Sequence, residues 1–259
     1  MVYIIYFIII LLANTTGALS GMGGGVIIKP ALDALGFHSL TAIGFFSSAA
    51  VLTMSIVSIY KQVRGGFEVD FQKLLAIALG SIFGGMMGDR LFVYLTILFP
   101  NESTVNLIQI IVMIIVLGAS ILYSRGEQKS LYLSGTPWYF FVSLFLAIIS
   151  TLLGIGGGPI NVAAFILMFG HSTKASTTYS IFIIFFSQVA KLSTIGLTTG
   201  FGGFDLSVLA AILPAAVIGG YVGSTLNQKM TDDQVNVAYQ LITSGVLLLN
   251  LYNGFQILF

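Results

Sequence analysis

The chain alternates long oily runs with short polar ones. A bilayer-spanning helix needs about 20 mainly apolar residues. Residues 3–20, 41–60, 71–99, 105–123, 138–153, 175–197, 206–226 and 235–251 meet or approach that length. Two more apolar pieces, 26–35 and 160–169, are too short to span and long enough for a half-helix or re-entrant arm. The polar connections are 61–70, 100–104, 124–137, 199–205 and 227–234, and none could hold a second domain. The pattern predicts an all-α, polytopic helical bundle occupying 1–259 as a single transmembrane domain.

Each short piece follows a glycine run: Gly21-Met22-Gly23-Gly24-Gly25 before the first, Gly154-Ile155-Gly156-Gly157-Gly158 before the second. Four glycines in five residues interrupt a helix. Broken backbone is tolerated at membrane depth only where protein or a water-filled cavity satisfies the freed groups, and paired breaks point to a transport site.

The runs belong to a duplication. Gly21 and Gly154 are 133 positions apart, as are His38 and His171 with the serines that follow them. Further on the offset is 135: Asp70 aligns with Asp205, Gly84-Gly85-Met86-Met87-Gly88 with Gly219-Gly220-Tyr221-Val222-Gly223, and Leu91 with Leu226. A repeat in register over several motifs is read before anything else. We expect repeat one at 1–125, repeat two at 135–259 and a linker at 124–137, with about four helical segments per repeat. If each glycine run folds its segment back as a hairpin, each half crosses three times and the second copy is inverted. Lys61, Arg64, Lys73, Arg125, Lys129, Lys174 and Lys229 then share one side against Lys29 and Arg90, an asymmetry that would place the larger group in the cytoplasm and both termini outside. Straight-through spans give no such bias.

Composition narrows the function. Only 7% of residues are charged and mean hydropathy is +1.02, against about a quarter charged in soluble domains. The net charge of +1 gives no case for nucleic acid, and the absence of cysteine removes disulfides, thiolate metal sites and cysteine nucleophiles. The first apolar run has no basic residue before it and no small-residue cleavage site after it, so it reads as a retained helix. No carboxylate pair, His-Glu-x-x-His helix or Gly-x-Ser-x-Gly elbow is present, so we expect no catalytic residues, no metal and no cofactor.

What remains is ligand binding by backbone and buried polar groups. Gly23, Gly24, Gly25, Gly156, Gly157 and Gly158 can turn backbone N–H groups toward an anion, helped by the positive end of a following short helix. Pro159 stands where a helix could start; Pro30 lies deeper in its copy. Asn14, Thr15 and Ser20 precede or enter the first run and Asn161 follows the second. Such groups can ligate an oxyanion, or stitch helices and bond back to their own backbone. Gln188 and Lys191 share a helix face; an intramembrane lysine is a functional candidate, with snorkelling as the plain alternative. Lys29 stands just beyond the first run. The two Gly-Gly-x-x-Gly segments read as close helix packing. His38 and His171 read as loop anchors, with a proton relay or pH sensor as the alternative, and Asp89 with Arg90 as an interfacial ion pair.

The ordered set resembles the TauE/SafE family of sulfite exporters. It is carried by both glycine runs with Pro30, by Thr173-Lys174-Ala175-Ser176-Thr177-Thr178, by Ala190-Lys191-Leu192 with Gly200 downstream, and by the two Gly-Gly-x-x-Gly segments. The likeness covers residues from about 5 to 255. The chain departs from the pattern where Pro159 follows the second run and Ala163 stands at the position matched to Pro30, so the half-sites are not symmetric. The resemblance implies a multi-pass permease of the cytoplasmic membrane carrying a small sulfur-containing anion such as sulfite, sulfoacetate, thiosulfate or another organosulfonate. The residues alone reach an anion or polar solute at a broken-helix site, moved by alternating access. The expected partners are that solute, the lipid bilayer, H+ or Na+ as a candidate coupling ion, and a second copy in a homo-oligomer. A passive anion channel, and a membrane-embedded enzyme or assembly subunit, are the competing readings.

Overall fold

A computed structural model describes residues 2–68, 70–125 and 129–258, so part of the 124–137 linker lies outside the described residues. The described residues are helical and contain no strand. In order they form α1 (Val2–Ser20), α2 (Gly25–Leu35), α3 (Leu40–Arg64), α4 (Phe71–Leu98), α5 (Glu102–Arg125), α6 (Thr136–Leu152), α7 (Pro159–Phe169), α8 (Thr173–Thr198), a 3₁₀ turn (Leu206–Val208), α9 (Leu209–Lys229) and α10 (Asp232–Leu258). Among the described residues, seven helices are long and apolar enough to cross a membrane; α6, the eighth expected span, has 17 residues.

Local chemistry sets the helix starts and stops in matching places. The Ser39 and Ser172 hydroxyls accept from the Ala42 and Ala175 N–H groups and cap α3 and α8. Asp70 accepts from the Gln72 and Lys73 N–H groups, and Asp205 from Ser207. Gly36 and Gly170 end α2 and α7 in left-handed conformation, at φ 64° and 68°. The short helices occupy 25–35 and 159–169, so their offset is 134: the second half has one more residue in its break and one fewer in the loop before α8. Ala164, not Ala163, therefore corresponds to Pro30.

Both short helices double back. The Tyr6 hydroxyl near the start of α1 meets His38 Nδ1 beyond α2 at 2.6 Å, and the Tyr139 hydroxyl on α6 meets His171 Nε2 beyond α7 at 2.9 Å. Each glycine run thus lies at the tip of a helical hairpin whose two ends sit together. The histidines act as the expected loop anchors. His171 is stacked on Tyr179, and burial, with Lys73 nearby, holds its pKa below the usual imidazole value.

Helices from the two halves pack crosswise, α1 on α9 and α6 on α4, with α9 also on α3 and α4 also on α8. The Gly-Gly-x-x-Gly segments make these crossings. A Cβ on Gly219 or Gly223 would strike the Leu11 or Thr15 carbonyl of α1, and one on Gly84 or Gly88 the Leu144 or Ile148 carbonyl of α6. A Cβ on Gly220 would meet Met54 of α3, and one on Gly85 Ser187 of α8. Every partner pair is 133 positions apart, so the same three contacts occur twice. Small residues let helix backbones approach where lipid supplies no hydrophobic drive.

Gly88→Leu and Gly223→Leu should each destabilise the protein by about 1–3 kcal/mol through overpacking, read as a lower Tm in detergent, whereas Gly118→Leu, whose Cβ would meet open space, should not. His171 should add pH dependence of a known sign. With its folded pKa below the unfolded value of about 6.5, its contribution is complete above that value and is lost as pH falls below it, because the unfolded chain then binds the extra proton. Acidification from neutral pH should therefore lower Tm more in the wild type than in His171→Gln.

Candidate functional site

The two hairpin tips meet inside the bundle, between α3 and α8. Gly21 and Gly23 take φ of 72° and 78°, and Gly154 and Gly156 take 69° and 67°, a region that side chains avoid. A Cβ on Gly24 would strike the Asn14 amide. On Gly25 it would strike the Ile155 carbonyl, and on Gly157 it would strike Ile184 and come within 3.0 Å of the Met22 carbonyl. Each triplet is therefore pressed against the other break or against its own first helix. Ser180 of α8 donates to the Gly21 carbonyl at 2.6 Å. The N–H groups of Gly156, Gly157 and Gly158 donate no hydrogen bond among the described residues.

The space lies beside this junction and not between the triplets. A cavity of about 100 Å³ is lined by Lys29, Gly44, Asp89, Gln109, Gly154 and Lys191, among others. It touches the first glycine of the second run; the six glycines singled out in the sequence lie behind it. Lys29 and Lys191 are each only 4% exposed, so neither snorkels. Lys29 donates to Asp33 Oδ2 at 2.7 Å and to Asn106 Oδ1 at 3.2 Å, and its stem lies 3.5 Å from where a Gly154 Cβ would be. Lys191 donates no hydrogen bond among the described residues, and its ammonium is 3.8 Å from the Cβ position of Gly44. A side chain at 44 would crowd it.

Asp89 corrects an expectation. Adjacent residues on a helix point about 100° apart, so Asp89 cannot pair with its exposed neighbour Arg90. It is 6% exposed, lines the cavity within electrostatic reach of Lys191, and makes no direct ion pair among the described residues.

Other expected residues divide. Thr15 and Ser20 bond back to the Leu11 and Thr16 carbonyls, both at 2.7 Å, the structural alternative for such hydroxyls. Asn14 and Asn161 are fully buried with neither amide atom partnered; Gln188 Oε1 and Ser47 Oγ are also unpartnered. Asn14 abuts Gly24, Ser47 abuts Gly25, and the Gln188 amide lies 3.0–3.1 Å from the Cβ position of Gly156. Orphaned buried polar groups cost about 1–3 kcal/mol each, so a ring of them around both breaks calls for a reason beyond packing. Sequence alone does not single out Gly44, Ser47 or Gln109; it reads Asp89 as an ion-pair partner and Gly154 as the first glycine of its run. The intramembrane acid was the readable signal among them.

The other end of the junction is filled. Thr177 packs on Gly21, where Gly44 leaves room beside Gly154. Asn227 donates to the Leu19 carbonyl at 2.6 Å and to Thr177 at 3.4 Å, and accepts from Gln62 at 3.1 Å. A larger cleft of about 430 Å³ on the α5–α6–α7 face is walled by side chains such as Trp138, Phe141, Phe145 and Leu167. Its almost wholly apolar wall suits hydrocarbon.

Removing one partner of a buried ion pair strands the other charge. Lys29→Met should destabilise the protein by about 3–5 kcal/mol, and adding Asp33→Leu should recover most of that loss; equal Tm for the single and double variants would show that the pair is not coupled.

A family profile described as "Sulfite exporter TauE/SafE" matches residues 6–250. The chain is also similar to the probable membrane transporter protein YunE of Bacillus subtilis (strain 168), 24% identical over 266 residues that cover 93% of this chain and 94% of the relative. No solved structure matches. The profile spans nearly the whole chain, and with it the helical hairpins and the cavity beside their junction: the protein belongs to the TauE/SafE sulfite exporter family of membrane transporters.

Proposed function

We propose that this permease carries a small sulfur oxyanion or organosulfonate by alternating access, with the cavity beside Gly154 as the entry site. The observation that carries this reading is the meeting of two buried lysines with a glycine break in one enclosed space. An anion there would lie against the Lys191 ammonium, which donates no hydrogen bond among the described residues, and beside Gly154, the glycine of the second run that lines the cavity. An ammonium next to bare glycine backbone suits an oxyanion, since no side chain fills the space. A desolvated anion needs that compensation, because isolated buried charge costs several kcal/mol even after relaxation. The sulfur-oxyanion class is supported by the family's description.

Inverted repeats give the alternation a physical basis. The hairpin geometry groups Lys61, Arg64, Lys174 and Lys229 at one end of the bundle, where Gln228 donates to the Lys61 carbonyl and Lys174 donates to the Gln228 and Met230 carbonyls. We assign that end to the cytoplasm by the positive-inside rule, in a cell membrane. The cavity then faces outward, and the Thr177–Asn227–Gln62 cluster is the closed inner counterpart that must part for release.

In proteoliposomes, labelled sulfite, thiosulfate or sulfoacetate should accumulate and show accelerated exchange on counterflow, which a channel would not give. Lys191→Gln should cut uptake at least tenfold, and Gly157→Leu should abolish it in protein that still inserts. Uptake of a cation control alone, or unchanged kinetics in Lys191→Gln, would contradict the assignment.

A further inference from the structure

The charge at the cavity does not repeat. Asp89 on α4 and Lys191 on α8 line one space without touching. In the register of the repeated contacts, their counterparts are Ser224 on α9 and Ser58 on α3. Those two are joined directly, Ser224 Oγ donating to Ser58 Oγ at 2.8 Å, both fully buried. The same helix crossing is therefore built once as a closed neutral hydroxyl pair and once as a cation and an anion held apart across a cavity. Hydroxyls satisfy the packing. Separated buried charges cost far more, and intramembrane ionisable groups mark functional sites.

The groups around Asp89 balance. From α8 it faces Lys191. From α2 it faces Lys29, whose ammonium is held by Asp33 at 2.7 Å. The residues lining the cavity from α3 (Leu40, Thr41, Gly44, Phe45) and from α5 (Gln109) carry no charge, and neither does any residue of α6. Arg90, next along α4, is exposed on another face. Lys29, Lys191, Asp33 and Asp89 sum to zero, and the further carboxylate at the rim, Glu102 of α5, accepts from the Leu40 N–H at 3.3 Å, so an entering anion would leave the site with a net negative charge in a low-dielectric setting.

We propose that Asp89 is the proton-binding group that couples this permease to H+: the incoming oxyanion takes over Lys191, and Asp89 accepts one proton from the outer solution as it loses its counter-ion. For a monoanion the site's total charge is then unchanged, and for a dianion such as thiosulfate the one proton halves the net negative charge that binding brings. Release on the inner side frees anion and proton together, and no sodium ion is needed. This rests on the anion-permease reading above.

Thiosulfate is a suitable probe because its own charge is constant around neutral pH. Its binding to the purified full chain should be followed across that range, together with proton uptake in weakly buffered solution. The wild type should take up one proton per thiosulfate bound, and its affinity should fall about tenfold per pH unit above the titration of Asp89. Asp89→Asn and Asp89→Ser should bind with no proton uptake and a flat pH profile. A wild type that binds thiosulfate without taking up a proton overturns the proposal whether or not the variants fold, and leaves the permease reading standing. Proton uptake that persists in Asp89→Asn also overturns it, by moving the proton to Lys191. A chain that binds neither thiosulfate, sulfite nor sulfoacetate removes the permease reading and this proposal with it.

Discussion

Backbone at membrane depth must find its hydrogen bonds within the protein. Two helices here break inside the bundle, and the two breaks are pressed together so tightly that Ile155's carbonyl occupies the space a Gly25 side chain would need. The rest follows: α3 and α8 flank the junction, α4 and α9 lock each hairpin through glycine contacts, and the tyrosine–histidine bonds fix the hairpin ends. Among the described residues, the junction leaves N–H groups undonated and amides such as Asn14 and Asn161 unpartnered, at a cost of about 1–3 kcal/mol for each buried orphan.

The two ends of that junction are built alike and filled differently. Gly44 and Thr177 occupy corresponding positions; Gly44 lines the cavity, and Thr177 packs on Gly21. The neutral end is closed by Asn227, Gln62 and a serine pair; the charged end stays open around Lys191 and Asp89. A carrier must open one end at a time, and an end closed by hydrogen bonds between small polar groups can part at modest cost, since each such bond contributes about 0.5–1.5 kcal/mol net. Of the two ends, the one at Gly44 holds the buried ionisable side chains Lys29, Asp89 and Lys191.

Much of the fold was legible in the sequence because oily runs, glycine runs and duplicated spacing are local signals. Helix positions, the two short arms and Pro159 at the start of α7 could all be read directly. The packing role of Gly84 and Gly219 could be read too, since small residues at helical spacing have few other uses. The site was less legible. Gly23 to Gly25 and Gly156 to Gly158 mark the junction but do not line its cavity, because tertiary packing fills the space between them. Asp89 was read with Arg90 because they are neighbours in sequence, whereas helix geometry turns them to different faces. Gly44 has no motif around it, and its importance appears only when Lys191 lies over it. The one-residue shift between the short helices is likewise invisible until their ends are fixed by Gly36 and Gly170.

The central claim is that the oxyanion sits at this junction, at its Lys191 end. The most direct test is to locate a selenium analogue, selenite, by its anomalous scattering in crystals of the full chain. A single peak within hydrogen-bond reach of Lys191 and of the backbone between Gly154 and Gly158 is expected. A peak in the apolar cleft of α5, α6 and α7, or saturable binding with no peak near the breaks, would contradict the account.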